Sequence, residues 1–186
     1  MDLMKAIRTR RSTRKYLPTP VEKATLEELL QAAVMAPSAM NSQPWAFGIV
    51  QGVETLRQLS TRAKAAILAD ADKLPWIERY RAMLENPDYN IFYDASALVV
   101  ICAKPIGPNA PADCAMAAEN LMLAAHDKGL ATCWIGFALM LLMRPEVKQE
   151  LGIPVEYTPV APLIVGYPDG EMPAPERTAP EIICWK

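Results

Sequence analysis

Residues 8–15, RTRRSTRK, are the most charged stretch of the sequence, because five of these eight residues are basic. The whole chain has 19 basic and 21 acidic residues, so positive charge is concentrated at this one place. Arginine guanidinium groups bind phosphate oxygens in a bidentate geometry, and a neighbouring hydroxyl adds a donor. The stretch therefore predicts a site for a local anion, such as a phosphate monoester, built from Arg10, Arg11, Ser12 and Arg14. A solvated charged surface is the alternative interpretation.

Composition limits the class of protein. Hydrophobic residues make up 52% and charged residues 22% of 186 residues, which is typical of one globular domain over 1–186. A net charge of -2 argues against general attraction to nucleic acid. The N-terminus lacks the apolar segment of a signal peptide, and no apolar run approaches the roughly 20 residues that a membrane helix needs. We therefore expect a cytoplasmic protein without nucleic-acid or membrane partners.

Several common kinds of site are missing from the sequence. The four cysteines form no C-x-x-C pair and there is one histidine, His126, so we expect no metal site. The eight glycines form neither a dinucleotide-binding fingerprint nor a P-loop. His126 lies at helical spacing, which favours a partly buried helix residue over a catalytic base.

The hydrophobic pattern interleaves helices and strands without a βαβ rhythm, which predicts an α+β domain. We predict helices over 2–8, 20–36, 53–68 and 114–128, one or two more within 138–151, and strands over 45–51, 96–104, 131–137 and 160–168. Thr19 and Asp113 are expected to cap their helices. Residues 70–93 fit a helix plus a loop, and the apolar end of the Pro-rich tail could add a strand to a partner subunit.

A second polar segment, APSAMNSQPWAF at 36–47, lies between a predicted helix and a predicted strand. Prolines bound four side chains that donate hydrogen bonds, Ser38, Asn41, Ser42 and Gln43. This arrangement is suited to the rim of a site for a heteroaromatic ring. An ordinary polar loop is the alternative interpretation.

Four segments occur in a recognisable order: RTRRSTRKY, APSAMNSQPWAF, AAENLMLAAHDKGLATCWIGF and LIVGYP. Together they resemble the FMN-dependent nitroreductase family, and the first two at this spacing are the most specific part. The resemblance implies a nitroreductase-like fold with a central, mostly antiparallel sheet flanked by helices. It also implies an intertwined homodimer that exchanges the C-terminal strand, with 1–186 as a single FMN-binding domain.

The resemblance assigns roles to the basic stretch. It implies that Arg10 holds the FMN phosphate, with Arg11 and Ser12 on the phosphate and ribityl chain. Arg14 would lie near the pyrimidine side of the flavin ring, where a fixed cation stabilises the negative charge of the reduced ring.

The resemblance also assigns later segments to the flavin. One loop would reach the flavin bound mainly to the other subunit, through Pro37, Ser38, Ala39, Met40 and Asn41. The segment Trp134, Ile135 and Gly136 would follow the N5 edge of the ring, with amides around Ile135 and Gly136 as donors. Arg177 would close on the phosphate, although Glu176 stands where the family has a second basic residue.

The implied activity is an oxidoreductase that passes electrons from NADH or NADPH through FMN to a small nitroaromatic- or quinone-like acceptor, in a ping-pong sequence. No side chain need act as an acid or base, which fits the shortage of histidine. The alternative is a flavin-binding module that stores or senses FMN without turnover. A pocket sealed by Trp76, Tyr80 or Tyr93 would favour that alternative.

Overall fold

A single four-stranded sheet organises the computed structural model, which describes residues 1–186. Its strands are β1 (Trp45–Gln51), β2 (Ala97–Ala103), β3 (Ala131–Trp134) and β4 (Thr158–Gly166). They are arranged in the order β1-β2-β4-β3, and every neighbouring pair is antiparallel. The predicted α+β class and antiparallel sheet are confirmed.

Seven helices surround the sheet. They are α1 (Leu3–Thr9), α2 (Lys23–Ala33), α3 (Val53–Ala69), α4 (Arg81–Glu85), α5 (Ala110–Asp127), α6 (Leu139–Leu142) and α7 (Pro145–Glu150). Short 3₁₀ turns occur at Ala39–Asn41, Ala71–Lys73, Pro75–Tyr80 and Gly136–Ala138. None of these helices combines the length and apolarity required to cross a membrane.

The central strand β2 is buried throughout because both faces of the sheet are covered. Its odd-numbered residues, such as Val99, join a core formed with α2 and α5. Its even-numbered residues, such as Val100, join a second core formed with α3, α6 and α7. Successive side chains of a strand point to opposite faces, so a strand between two cores needs an unbroken apolar run.

Both predicted helix caps are wrong, and tertiary contacts explain why. Helix α2 begins at Lys23 with Glu22 as its N-cap, because Val21 is held in the core. The amide of Val21 donates to Ser96 Oγ at 3.3 Å. Helix α5 begins at Ala110, so Asp113 lies inside its first turn.

The basic stretch lies along the edge of the sheet. Ser12 pairs in parallel with Thr132 of the edge strand β3, and the amide of Thr13 donates to the carbonyl of Thr132 at 3.0 Å. Further on, the amide of Leu17 donates to the carbonyl of Tyr167 at 2.9 Å. These bonds cover an otherwise open strand edge and fix the backbone that carries the arginines.

Residues 171–186 form no helix or strand within their own chain. The apolar side chains near the end, Ile182, Ile183 and Trp185, are exposed, and Trp185 is 87% exposed. Exchange of this segment between two subunits remains a prediction.

Candidate functional site

Two cavities lie one after the other along the basic stretch and β3. The first, of about 480 Å³, is lined by Arg10, Arg11, Thr13, His126 and Thr132, and is called the basic cavity below. The second, of about 490 Å³, is lined by Arg14 and by residues 133–137, and is called the aromatic cavity. Because the two backbone segments run parallel at Ser12 and Thr132, the cavities follow each other in the same direction along both.

Arg10 keeps most of its hydrogen-bonding capacity free. Its Nε lies 3.2 Å from Glu119 Oε1, and the guanidinium makes no other hydrogen bond. A guanidinium has five N–H donors, so both terminal amino groups are available to an anion. Of the predicted phosphate ligands, Arg10 is therefore the best placed.

Arg11 has a structural role as well. Its Nη1 donates to the carbonyls of Arg8 and Arg10 at 2.7 and 2.8 Å, which satisfies carbonyl groups at the end of α1. Arg11 still lines the basic cavity, next to Arg10. Ser12 is exposed and lines neither cavity, but it lies between Arg11 and Arg14, which line one cavity each.

His126 belongs to the basic cavity, which the sequence did not predict. The Thr9 hydroxyl donates to the carbonyl of Lys5 at 2.7 Å, so it accepts from His126 Nε2, also at 2.7 Å. Burial and the charges of Arg10 and Arg11 lower the pKa of His126. Burial is the largest cause of the lowered pKa, and the charges of the two arginines add to it.

Thr132 adds an unusual feature to the same cavity. Its Oγ1 is buried and has no hydrogen-bond partner, and it is the only buried side-chain nitrogen or oxygen in the protein with none. An unsatisfied buried hydroxyl costs about 1–3 kcal/mol, and such groups are uncommon in folded proteins. Nothing in the local sequence indicates this, since threonine is ordinary in a strand.

Aromatic side chains form the walls of the aromatic cavity. Trp76 and Phe137 lie nearly parallel, with ring centroids 6.4 Å apart and an interplanar angle of 6°. Tyr80 meets both rings edge-on, at 6.4 Å from Trp76 and 5.3 Å from Phe137. The only charged side chains in the lining are Arg14 and Arg79, and no acidic residue is present. Such a cavity suits a planar, electron-rich or anionic ligand.

No side chain of the aromatic cavity is prepared for acid–base or nucleophilic chemistry. Burial raises the pKa of the Cys133 thiol, so the thiolate is disfavoured. Burial and the hydrogen bond to Tyr93 raise the pKa of Tyr89, whose hydroxyl lies 2.9 Å from that of Tyr93. The cavity therefore offers shape and charge, and the reactive group must come from a ligand.

The segment Trp134, Ile135 and Gly136 lies in the aromatic cavity. One detail of the expectation needs correction: the Ile135 amide already donates to the carbonyl of Pro162 at 2.8 Å. Gly136 is the remaining donor of the predicted pair. A β-carbon at Gly136 would meet no atom within 4 Å, so this position faces open space.

The loop predicted to contact a flavin lies elsewhere. Ala39 and Met40 line a separate cavity of about 210 Å³, and the Ala39 amide donates to the Asp113 carboxylate at 3.2 Å. Pro37, Ser38 and Asn41 line none of these three cavities. Within one chain, the structure does not bring this loop to the basic stretch.

The loop is nevertheless well defined. Met40 and Asn41 both have φ of 53°, a left-handed conformation that few side chains adopt. The Gln43 amide donates to Ser38 Oγ at 3.0 Å, and Met40 is 98% exposed. Strained backbone of this kind is often found at functional positions.

Arg177 is exposed in the C-terminal segment. It lines neither the basic nor the aromatic cavity. Its predicted contact with a phosphate is therefore not made within the isolated chain.

Comparison with known proteins gives the family. A model of the Nitroreductase family matches residues 7–167. A Methanothermobacter thermautotrophicus protein named "Putative NADH dehydrogenase/NAD(P)H nitroreductase" is 30% identical, over 90% of this chain and 78% of its own. The 5,6-dimethylbenzimidazole synthase of Rhodospirillum rubrum is 31% identical, over 90% of this chain and 82% of its own.

A solved structure matches the whole fold. The nitroreductase of Bacteroides fragilis NCTC 9343 with bound FMN superposes with a TM-score of 0.86 and 29% identity, covering 100% of both chains. The match therefore includes the sheet, the basic stretch and the loop at 36–47. The chain belongs to the nitroreductase family.

Proposed function

We propose that the protein is an FMN-dependent oxidoreductase that passes electrons from NADH or NADPH to a small oxidised acceptor. One observation carries this proposal: the basic cavity and the aromatic cavity follow each other along the same two backbone segments. FMN has the matching order, with a phosphate at one end and a planar ring at the other. The bound FMN of the Bacteroides fragilis relative supports the same assignment.

The basic cavity fits a phosphate. Arg10 offers free terminal amino groups, Arg11 adds a second guanidinium, and Thr132 has a buried hydroxyl that lacks a partner. A rotation of the Thr132 side chain on binding would bring that hydroxyl to a phosphate oxygen or to the ribityl chain. We assign Ser12, between the cavities, to the ribityl chain and Arg177 to the phosphate from the tail.

The aromatic cavity fits the flavin ring. We place the pyrimidine edge near Arg14 and the N5 edge along Trp134 to Gly136, with the Gly136 amide as the donor. When bound, FMN supplies the two-electron chemistry that the side chains of this cavity lack. Arg14 favours electron uptake by holding a positive charge beside the pyrimidine edge.

The same cavity has to serve both substrates. The chain has no dinucleotide-binding fingerprint, so the nicotinamide is best accommodated on the exposed ring face in the aromatic cavity. The acceptor then uses the same walls after the nicotinamide leaves. This sharing is the basis for the proposed ping-pong sequence, with a nitroaromatic- or quinone-like acceptor.

We further propose a homodimer with shared sites. The loop at 37–41 lines neither large cavity of its own chain, yet it projects the exposed side chain of Met40. The exposed apolar residues Ile183 and Trp185 also lack a partner surface. Contact of the loop with the FMN of the other subunit accounts for the first observation, and exchange of the tail accounts for the second.

The structure favours turnover over storage of FMN. Trp76, Tyr80 and Tyr93 stand in the walls of the aromatic cavity, and Trp76 is 47% exposed. A side chain that sealed the cavity would be largely covered. An open ring face is needed for two substrates that arrive in turn.

Two measurements test the proposal. Flavin released from the purified protein should be FMN, and initial rates with NADH and a quinone should give parallel double-reciprocal lines. Intersecting lines would contradict the shared cavity. Failure to bind FMN would contradict the assignment of both cavities.

A further inference from the structure

We infer that the aromatic cavity selects an aromatic acceptor with an anionic substituent, and that Arg79 recognises the anion. This inference rests on the proposed function, because it concerns the acceptor that receives the electrons. It goes further by naming the chemical class of that acceptor and the residue that selects it.

Arg79 is a cation without a partner in this cavity. It lies in the 3₁₀ turn Pro75–Tyr80, and its guanidinium carbon is 4.6 Å from the centroid of the Tyr80 ring. The neighbouring acid, Glu78, pairs instead with Arg81, Nε to Oε2 at 2.8 Å. Stacking on Tyr80 therefore positions the Arg79 guanidinium at the cavity wall while its charge remains uncompensated.

Arg14, the other charged residue of the cavity, does not take the place of Arg79 in binding the acceptor. Arg14 also makes no ion pair, but the proposed function already assigns it to the flavin ring. No aspartate or glutamate lines the cavity, so both charged side chains of its lining are positive. Covering an arginine with an apolar ligand leaves a desolvated, unpaired charge, whereas a carboxylate on the ligand would compensate it.

The ring walls determine the rest of the ligand. Trp76, Tyr80 and Phe137 form one aromatic cluster beside Arg79, with centroids 5.3 to 6.4 Å apart. Aromatic surfaces bind a planar ring through offset or edge contacts. A benzoate-like acceptor places its ring against this cluster and its carboxylate at Arg79.

The reaction with such an acceptor is balanced. A nitrobenzoate gains two electrons and two protons at its nitro group, one N–O bond breaks, and the oxygen leaves as water to give the nitroso product. NAD(P)H supplies both electrons and one proton, and solvent supplies the second proton. Arg79 pairs with the carboxylate and takes no part in the transfer.

Binding to the oxidised, FMN-loaded protein tests the inference without turnover. Calorimetric titration should show 4-nitrobenzoate binding about tenfold or more tightly than the neutral 4-nitrobenzamide. Arg79→Met keeps the aliphatic stem and should abolish that preference. Arg62→Met is the matched control, because Arg62 pairs with Glu150 and does not line the cavity.

Kinetics give a second readout. The ratio of kcat/KM values for 4-nitrobenzoate and 4-nitrobenzamide should fall about tenfold or more in Arg79→Met and stay unchanged in Arg62→Met. The rate of flavin reduction by each nucleotide should be the same in Arg62→Met as in the wild type, and the rate in Arg79→Met shows whether Arg79 also serves the nucleotide.

The failures can be told apart. Equal binding of the two acceptors by a protein that holds FMN and oxidises NAD(P)H overturns the inference and leaves the proposed function in place. Slower flavin reduction by NAD(P)H in Arg79→Met, with the acceptor preference retained, also overturns it, because Arg79 then serves the nucleotide. A protein that does not bind FMN overturns both.

Discussion

The ring of Tyr16 lies directly against the backbone of Gly166. A β-carbon at Gly166 would come within 2.8 Å of Tyr16 Cδ1, a distance that side chains do not tolerate. The Tyr16 hydroxyl donates to the carbonyl of Thr13 at 2.9 Å. The end of β4 thus holds the backbone of the basic stretch in place, and the positions of its arginines depend on a residue without a side chain at 166.

Gly166→Ala should therefore destabilise the protein and weaken FMN binding together. Forcing a methyl group into a filled site costs about 1–3 kcal/mol, and relief requires Tyr16 to move. The free energy of unfolding in urea and the FMN dissociation constant measure the two effects. Gly48→Ala is the control, because a β-carbon there would meet only side-chain atoms, the nearest at 3.8 Å. Equal stability of the two variants would contradict the role of the Tyr16 contact.

Arg10→Ala should weaken FMN binding about 10- to 100-fold, because it removes charge-assisted hydrogen bonds to a phosphate. Binding of riboflavin, which has no phosphate, should not change. Arg8→Ala is the control, since Arg8 belongs to the same stretch but lines neither cavity. Equal losses for FMN and riboflavin would show that the variant harms the fold rather than a phosphate contact.

Thr132→Val should raise the stability of the FMN-free protein and weaken its binding of FMN. The substitution removes a buried hydroxyl without a partner, so the FMN-free protein should gain about 1 kcal/mol of unfolding free energy. The same variant should bind FMN more weakly. Thr61→Val serves as a control, because its exposed hydroxyl donates to the carbonyl of Arg57 at 3.2 Å. A gain in stability with unchanged FMN affinity would exclude Thr132 from the cofactor site.

His126 should make the stability of the FMN-free protein depend on pH. Burial, Arg10 and Arg11 lower its pKa, against a smaller opposing effect of Asp127. The unfolded chain therefore takes up a proton first, at the ordinary histidine pKa of about 6.5. Stability from this residue is complete above that pH and is lost as the pH falls towards the lowered pKa.

Urea unfolding of the wild type and of His126→Gln, at about pH 7.5 and about pH 5.5, measures this contribution. Glutamine can still donate to the Thr9 hydroxyl but does not titrate. The loss of stability on acidification should be smaller in His126→Gln. An identical loss in both proteins would show that His126 titrates normally.

Shared sites predict complementation between two defective variants. Arg10→Ala damages the phosphate end, and Asn41→Ala damages the loop that we propose reaches the other subunit. A mixed dimer carries one site with both changes and one site with neither. When a mixture of the two variants is unfolded and refolded, up to one tight FMN site should therefore be restored in each mixed dimer. No recovery, or a monomer that binds FMN fully, would contradict the shared site.

Local patterns predicted much of the fold. The strands β2 and β4 were predictable because buried strands need continuous apolar runs, and the helix at 53–68 because its apolar residues recur at helical spacing. The starts of α2 and α5 were not predictable, because Val21 and Asp113 are fixed by partners distant in sequence, Ser96 and Ala39.

The candidate site was also predictable only in part. Motifs with local signatures were predictable and line the two cavities: Arg10, Arg11 and Arg14 of the basic stretch, and the segment at 134–136. His126, Thr132 and Arg79 were not, because a single histidine, threonine or arginine carries no pattern. Their significance depends on a hydrogen bond, a missing partner and a missing counter-ion, which exist only in three dimensions.

The most direct test of the central claim is the visible spectrum of the purified protein, before and after addition of NADH or NADPH without oxygen. We predict the yellow absorption of oxidised FMN, bleached within seconds by at least one of the two nucleotides. A protein that stays colourless after incubation with FMN would contradict the cofactor assignment. A yellow protein that neither nucleotide bleaches would contradict the proposed oxidoreductase function.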